Sequence, residues 1–304
     1  MEMTEETKTT WLKGILPSFS QVVLIEHPIS GAMIFLALVV ADLQLAALAL
    51  CGCLVANVTA HLLKVDQAQI ESGLMGFSPV LIGIAAGTFV GGVAAWPITL
   101  IGSALCIFAT LVINYLFGQQ GLPGLTFPFI LITWFFLLLS FSSRWITTSR
   151  IAQLPQAISS EGSLIFPDIF IKGVGEIFLL DNGISSLLIL TAIFIANVRW
   201  GALTIGAIVL SLAGAYLLGG NLDTLSLGLY SYNSILTFLA LDLFLVKQNS
   251  RVTSVLFLIG GVITVCLDFA LPAVLGVFGL PVLTFSFVLA VWFILIVEKL
   301  LVRK

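Results

Sequence analysis

The sequence predicts an all-α, polytopic membrane protein built from two five-helix halves that enter the bilayer in opposite orientations. Three observations predict it. The chain is 60% hydrophobic and only 9% charged over 304 residues, whereas a soluble domain carries about 25% charged residues. Its apolar stretches are continuous and not alternating, which excludes a transmembrane barrel. Motifs of the first half recur in the same order in the second, and an odd number of crossings per half inverts the second copy. A net charge of −3 without any basic stripe gives no sign of a nucleic-acid partner.

Residues 1–13 form a polar tail of mixed charge with no apolar core before a small-residue cleavage site, so no signal peptide is expected. Residues 14–141 are the first repeat. It opens with an apolar run from Gly14 to Ala41, interrupted by Glu26-His27-Pro28. Pro28 restricts the residue before it. The run fits one interrupted crossing, or equally a short half-helix ending near Ile25 followed by a crossing helix. Further crossings are expected at about Leu45–Leu62, Ser72–Val90, Val93–Phe117 and Thr126–Phe141. Several fall near or below the ~20 residues that span hydrocarbon, which suits tilted partners of half-helices. Residues 142–172 are the most polar internal stretch, with Arg144, Arg150, Glu161 and two prolines, and are read as a linker. Residues 173–304 are the second, inverted repeat. Gly173–Asn182 matches the first interrupted stretch, and crossings follow at about Ile184–Val198, Gly201–Leu218, Leu229–Val246, Val252–Leu271 and Leu283–Val302.

The repeat is legible position by position. Gln21 aligns with Glu176, Leu24 with Leu179, Glu26 with Asp181, Ile29 with Ile184 and Ser30 with Ser185. At the same offset Gly73, Phe77 and Leu81 align with Gly228, Tyr232 and Leu236. Later, Gly121-Leu122-Pro123-Gly124-Leu125-Thr126-Phe127 aligns with Gly279-Leu280-Pro281-Val282-Leu283-Thr284-Phe285. Phe129, Trp134 and Phe135 continue the match to Phe287, Trp292 and Phe293. Three ordered matches mark a duplication.

Basic residues orient it. With the N-terminus inside, the inner segments hold Lys8, Lys13, Lys64, Arg199, Lys247, Arg251, Lys299, Arg303 and Lys304, and the outer ones hold Arg144, Arg150 and Lys172. This split of nine against three obeys the positive-inside rule and places both termini in the cytoplasm.

Polar residues at membrane depth point to function, because a carboxylate there costs about 2.5–3.5 kcal/mol on insertion scales. Gln21 and Glu176 occupy equivalent positions and read as acceptors, one at each end of a polar path. Capping of helix ends at the interface is the alternative, and it stands equally for Glu26 and Asp181. Phe77 and Leu81 lie four residues apart, as do Tyr232 and Leu236. That spacing sets an aromatic ring and a branched alkyl group on one helical face. Such a stripe is ordinarily core packing. Its recurrence in both halves, beside Gly73 and Gly228, fits the walls of a narrow slot. Thr126 and Thr284 either cap their own helices or converge near the midplane. His27 and His61 lack counterparts in the other half, so neither a histidine path nor a metal site is expected. Cys51, Cys53, Cys106 and Cys266 lie in apolar runs without redox or zinc spacing. No nucleophile–base pair and no nucleotide-binding glycine loop is present, so neither an enzyme nor a bound cofactor is expected. Asp268, aligned with Thr110, has no role in this reading.

On these residues the chain resembles the urea transporter family and looks like a bacterial member of it. The resemblance runs from Gln21 to Phe293 and rests on the GLMGFSPVL and GLYSYNSIL stretches, the two LP-x-LT motifs, and the polar runs after Gln21 and Glu176. It implies a homotrimer in the cell's inner (plasma) membrane, each protomer carrying its own path for urea between the halves. It implies an added half-membrane pore helix in each half, with oxygen ladders at the pore-helix ends that accept urea N–H groups. Gln21 and Glu176 then belong to the ladders. Phe77, Leu81, Tyr232 and Leu236 form the slots, with Leu24 and Leu179 beside them, and Thr126 and Thr284 mark the centre. The chain departs from the family pattern at Glu26-His27-Pro28 and Asp181-Asn182-Gly183, where an Asn-Asn-Pro-like run is common, and at Tyr232, where phenylalanine is common.

Elementary energetics suit such a solute. Urea is flat and neutral, and stripping it of water without replacement partners costs several kcal/mol per lost hydrogen bond, while an ion in the same dry slot faces a Born penalty of tens of kcal/mol. The expectation is passive, channel-like passage of urea. The rival expectation is a proton- or sodium-coupled carrier of a small amide or amine, using Glu176 and Asp181 as coupling carboxylates.

Overall fold

The computed structural model describes residues 12–143, 166–245 and 250–302. Among them the chain folds into fourteen α-helices in two equivalent sets of seven. The first set is α1 (Ile15–Ser20), α2 (Pro28–Ala41), α3 (Leu43–Leu62), α4 (Gln67–Glu71), α5 (Phe77–Ala85), α6 (Ala95–Gly118) and α7 (Phe127–Ser142). The second is α8 (Phe166–Gly175), α9 (Gly183–Ala196), α10 (Val198–Leu217), α11 (Leu222–Ser226), α12 (Tyr232–Phe244), α13 (Ser250–Leu275) and α14 (Phe285–Val302). Arg144, Arg150 and Glu161 of the expected linker lie outside the described residues, as do Lys8, Lys247, Arg303 and Lys304. Helix α8 starts at Phe166, inside the stretch read as linker.

The interrupted apolar runs resolve as sharply bent helix pairs. Helix α1 and its terminal 3₁₀ turn, Gln21–Val23, meet α2 at 82°, and the α8 segment meets α9 at 85°. Leu24 and Leu179 make the corner in left-handed conformation, with φ of 62° and 55°. Each corner is closed by the same two bonds, Leu24 N–H to the Gln21 carbonyl and Ile25 N–H to that of Ser20, repeated at Leu179–Glu176 and Leu180–Gly175. His27 then starts α2, its Nδ1 accepting from the Ser30 N–H at 3.2 Å, and Asn182 starts α9 through its Oδ1 and the Ser185 N–H at 3.0 Å. Asp42 and Asn197 cap α3 and α10 in the same way. His27→Ala and Asn182→Ala should each cost about 1 kcal/mol, read as a lowered unfolding temperature in detergent.

Among the described residues four helices, Leu43–Leu62, Ala95–Gly118, Val198–Leu217 and the α13 segment, are long and apolar enough to cross a bilayer alone, with up to six spans when each bent pair is counted as one. Helices α5, α7 and α12 are shorter and packed within this frame.

Glycine sets the distance between the half-helices and the elements behind them. Gly73 and Gly228 have φ of +81° and +75°, and a Cβ at either would lie within 2.4 Å of the backbone of α1 or α8. One turn on, the two halves solve the same contact with exchanged residues: Gly76 faces Ser18, whereas Ser231 faces Gly173. A small residue on either partner is enough, and the pair conserves volume.

The halves meet mainly where α2 packs on α9 and where α7 approaches α14. The first contact is tied by reciprocal bonds: Ser30 Oγ donates to the Ala192 carbonyl at 2.7 Å, and Ser185 Oγ to the Ala37 carbonyl at 2.8 Å. Lys13 pairs with Glu71, and Lys299 donates to the Gln120 carbonyl. The start of α1 and the end of α14 therefore lie on the face where α3 and α6 end. Within the second half, buried Asp242 joins α12 to α10 by accepting from Arg199 Nη2 and from Trp200 Nε1.

Candidate functional site

The expected site residues fall on matched elements around the junction of the halves. Gln21 is buried in the turn that ends α1, and Glu176 is half-buried in the turn that ends α8. These turns pack on α5 and α12, the helices that carry the expected slot residues. Phe77, Leu81 and Leu236 are buried there and Tyr232 is half-buried; Leu24 and Leu179 pack against the same apolar cluster. Gln21 and Glu176 stay on separate halves, as a two-ended arrangement requires.

The threonines converge. Thr126 makes no side-chain cap on α7; its hydroxyl lies 2.7 Å from that of Thr284, with both residues buried. Around this pair the two halves exchange indole bonds. Trp134 Nε1 donates to the Pro281 carbonyl and Trp292 Nε1 to the Pro123 carbonyl, both at 2.8 Å. Phe127 and Phe285 stack at 6.1 Å between ring centroids, and each meets a tryptophan edge-on at 5.2 Å. Leu125 and Leu283, the residues before the threonines, are left-handed at φ 49° and 52°. An L-residue in that region costs about 1–2 kcal/mol, and such strain gathers at functional positions. Among the described residues, four of the five non-glycine residues with positive φ are these two leucines and the two corner leucines.

Sequence reasoning aligned the tryptophans and Phe127 with Phe285 without giving them a role. The signal was present in the Leu-Thr-Phe triplet that closes each Leu-Pro motif. It also left Asp268 without a partner, and the structure supplies one in Asn233. The flanking charges sort differently from the ladder positions. Glu26 is exposed, and exposed Asp181 pairs with Lys172 at 2.8 Å. His27 is a helix cap. Among the described residues no group of three metal-ligating side chains occurs. An apolar pocket lined by Ile82, Phe89, Ile98, Thr133 and Leu137 lies inside the first half and includes none of the expected site positions.

Chemically the junction offers acceptors, two hydroxyls and flat apolar walls, and no charged pair at its centre. The last carbonyls of a helix have no partner within it. The corner bonds take up those of Ser20 and Gln21, or of Gly175 and Glu176. The next carbonyls in each turn, those of Val22 and Val23 and of Ile177 and Phe178, follow at the free end.

The family model described as urea transporter matches residues 12–299. The chain is 28% identical over 302 residues to urea transporter 1 of Ovis aries, an alignment covering 94% of this chain and 77% of that protein. It is 28% identical over 294 residues to urea transporter 1 of Rattus norvegicus, covering 92% and 75%. Urea transporter 1 of Mus musculus is 28% identical over 306 residues, covering 95% and 78%.

Proposed function

Because the chain belongs to the urea transporter family, we propose that it passes urea passively across the membrane through a narrow path between its two halves. The path is bounded by acceptors at Gln21 and Glu176 and by slots at Phe77 with Leu81 and at Tyr232 with Leu236, flanked by Leu24 and Leu179. Its centre is at Thr126 and Thr284. The observation that carries this reading is the contact of the two threonine hydroxyls at 2.7 Å, across a separation of 158 residues. Two hydroxyls hold two protons, and their mutual bond uses one. The other is free to donate to a carbonyl, the one group of urea that a row of acceptors cannot serve. The free carbonyls and side-chain oxygens of the two half-helix turns serve its N–H groups. Flat apolar walls admit a planar neutral molecule and deny an ion the solvation it needs.

The protein acts as a homotrimer with one path per protomer, in the plasma membrane, with both termini cytoplasmic. Exposed Asp181 is paired with Lys172, which favours a passive path over coupling through two carboxylates. The test is stopped-flow light scattering of proteoliposomes. Urea entry faster than in empty vesicles, with no movement of ions and no dependence on a pH or sodium gradient, is the expected result. Entry equal to that of empty vesicles would overturn the proposal. Uphill accumulation driven by either gradient would replace the channel with a coupled carrier.

A further inference from the structure

Beside the second slot the inverted symmetry of the site is broken in its side-chain hydrogen bonds. On the second half, buried Asp268 of α13 accepts from Asn233 Nδ2 at 2.8 Å. The same amide nitrogen reaches the Leu283 carbonyl at 3.3 Å, and Tyr232 Oη donates to that carbonyl at 2.7 Å. One carbonyl, on the left-handed residue just before Thr284, thus gathers the slot ring and, through Asn233, a carboxylate. The first half carries Phe77, Ser78 and Thr110 at the equivalent positions. Phe77 has no hydroxyl, Ser78 Oγ has no partner among the described residues, and Thr110 bonds back to the Cys106 carbonyl of its own helix. Leu125 is nevertheless left-handed like Leu283. The polar chain is therefore not what builds the turn. What it adds is a fixed position for the ring of Tyr232.

We propose that Asp268 is a positioning residue that, through Asn233 and the Leu283 carbonyl, locks the tyrosine slot of the second half and makes it the more selective of the two slots. A carboxylate oxygen beside the amide accepts and does not compete as a donor, so it decides which end of the Asn233 side chain faces it. With the nitrogen held on that side, its second proton points to Leu283. Without Asp268 only the longer 3.3 Å bond to the Leu283 carbonyl holds the amide, and its position is less tightly set. Tyr232 loses its fixed neighbour, and the slot loses a defined width. The inference rests on the urea-channel reading for its functional consequence, and on the hydrogen-bond geometry for the locking itself.

The experiment compares Asp268→Ala, Asp268→Asn, Tyr232→Phe and, in the first half, Thr110→Val. Proteoliposome entry of urea is measured against N-methylurea, since their ratio does not depend on how much protein has folded. Asp268→Ala and Tyr232→Phe should each lower the urea-to-methylurea ratio about threefold or more. Asp268→Asn adds a donor beside the remaining acceptor oxygen and should give a ratio between those of wild type and Asp268→Ala, whereas Thr110→Val should stay within about twofold of wild type. In parallel, the protein labelled with fluorotyrosine should show a shifted or broadened Tyr232 fluorine resonance in Asp268→Ala and an unchanged one in Thr110→Val. An unchanged ratio and resonance in Asp268→Ala would overturn the proposal, and so would an equal shift of the ratio in Thr110→Val. Should Asp268→Ala fail to fold, an unchanged ratio in Tyr232→Phe would overturn it. Wild-type vesicles no more permeable to urea than empty ones would instead defeat the channel reading, and the fluorine resonance would still decide whether Asp268 holds the ring.

Discussion

Replacing Glu176 with leucine is expected to slow urea entry into proteoliposomes by about one to two orders of magnitude. The turn that carries Glu176 is closed by the same bonds as its counterpart at Gln21. Neither closing bond uses the side chain, so the fold should survive the change. What is lost is an acceptor at the end of a half-helix, where a permeating N–H has left bulk water. A polar group left unpaired there costs about 1–3 kcal/mol, and about 1.4 kcal/mol is a factor of ten in rate. Glu176→Gln places at this position the residue that the other half carries at Gln21, and should keep most of the flux. Asp181→Asn removes an exposed charge paired with Lys172 and should change the rate little, since exposed pairs contribute at most about 1 kcal/mol. Stopped-flow entry rates, normalised to protein per vesicle, check all three. A Glu176→Leu rate equal to wild type would remove this residue from the path.

Gly73→Ala should destabilise the protein strongly. Two costs add. The residue sits at φ +81°, which an L-side chain tolerates only with about 1–2 kcal/mol of strain. Its Cβ would also lie 2.4 Å from the Ser18 nitrogen and 2.5 Å from the Pro17 carbonyl carbon. Both are backbone atoms of α1 that no rotamer change can move aside. The half-helix must shift, and with it Gln21 and Leu24. A loss above about 3 kcal/mol is expected, together with loss of urea flux. Gly92→Ala separates the two costs, because Gly92 is also left-handed, at φ +58°, with nothing within 4 Å of a new Cβ. It should show only the conformational penalty. Thermal unfolding in detergent, followed by size-exclusion chromatography, measures the difference. Equal effects of the two substitutions would mean that close approach to α1 is unimportant.

Much of this architecture is legible in the chain itself. Composition gives the membrane class, since 9% charged residues cannot cover a soluble protein of this length. The duplicated motifs give the two halves, and every matched corner, cap and left-handed leucine of one half reappears in the other. Glu26-His27-Pro28 marks the first corner, although hydropathy alone leaves open whether a half-helix or a single crossing lies there. The boundary at residue 172 is less legible: α8 reaches back to Phe166, into the stretch whose polar residues and prolines read as a linker.

The sequence by itself determined that this is a two-fold repeated helical membrane protein with paired aromatic, threonine and acceptor positions. Bilayer insertion selects for apolar length, and duplication copies motifs, so both leave their record in the linear order. Only the tertiary structure decided which of those positions touch. The threonine pair, the exchanged indole bonds and the exchanged serine bonds join residues at least 147 apart. In a membrane the lipid-facing and protein-facing sides of a helix are both apolar, so hydropathy cannot tell a neighbour from a lipid tail. Partner choice falls to small residues that admit close backbone approach and to single hydrogen bonds, whose meaning depends on what lies opposite. The same rule hid Asp268, a carboxylate whose use is visible only once Asn233 and the Leu283 carbonyl stand beside it.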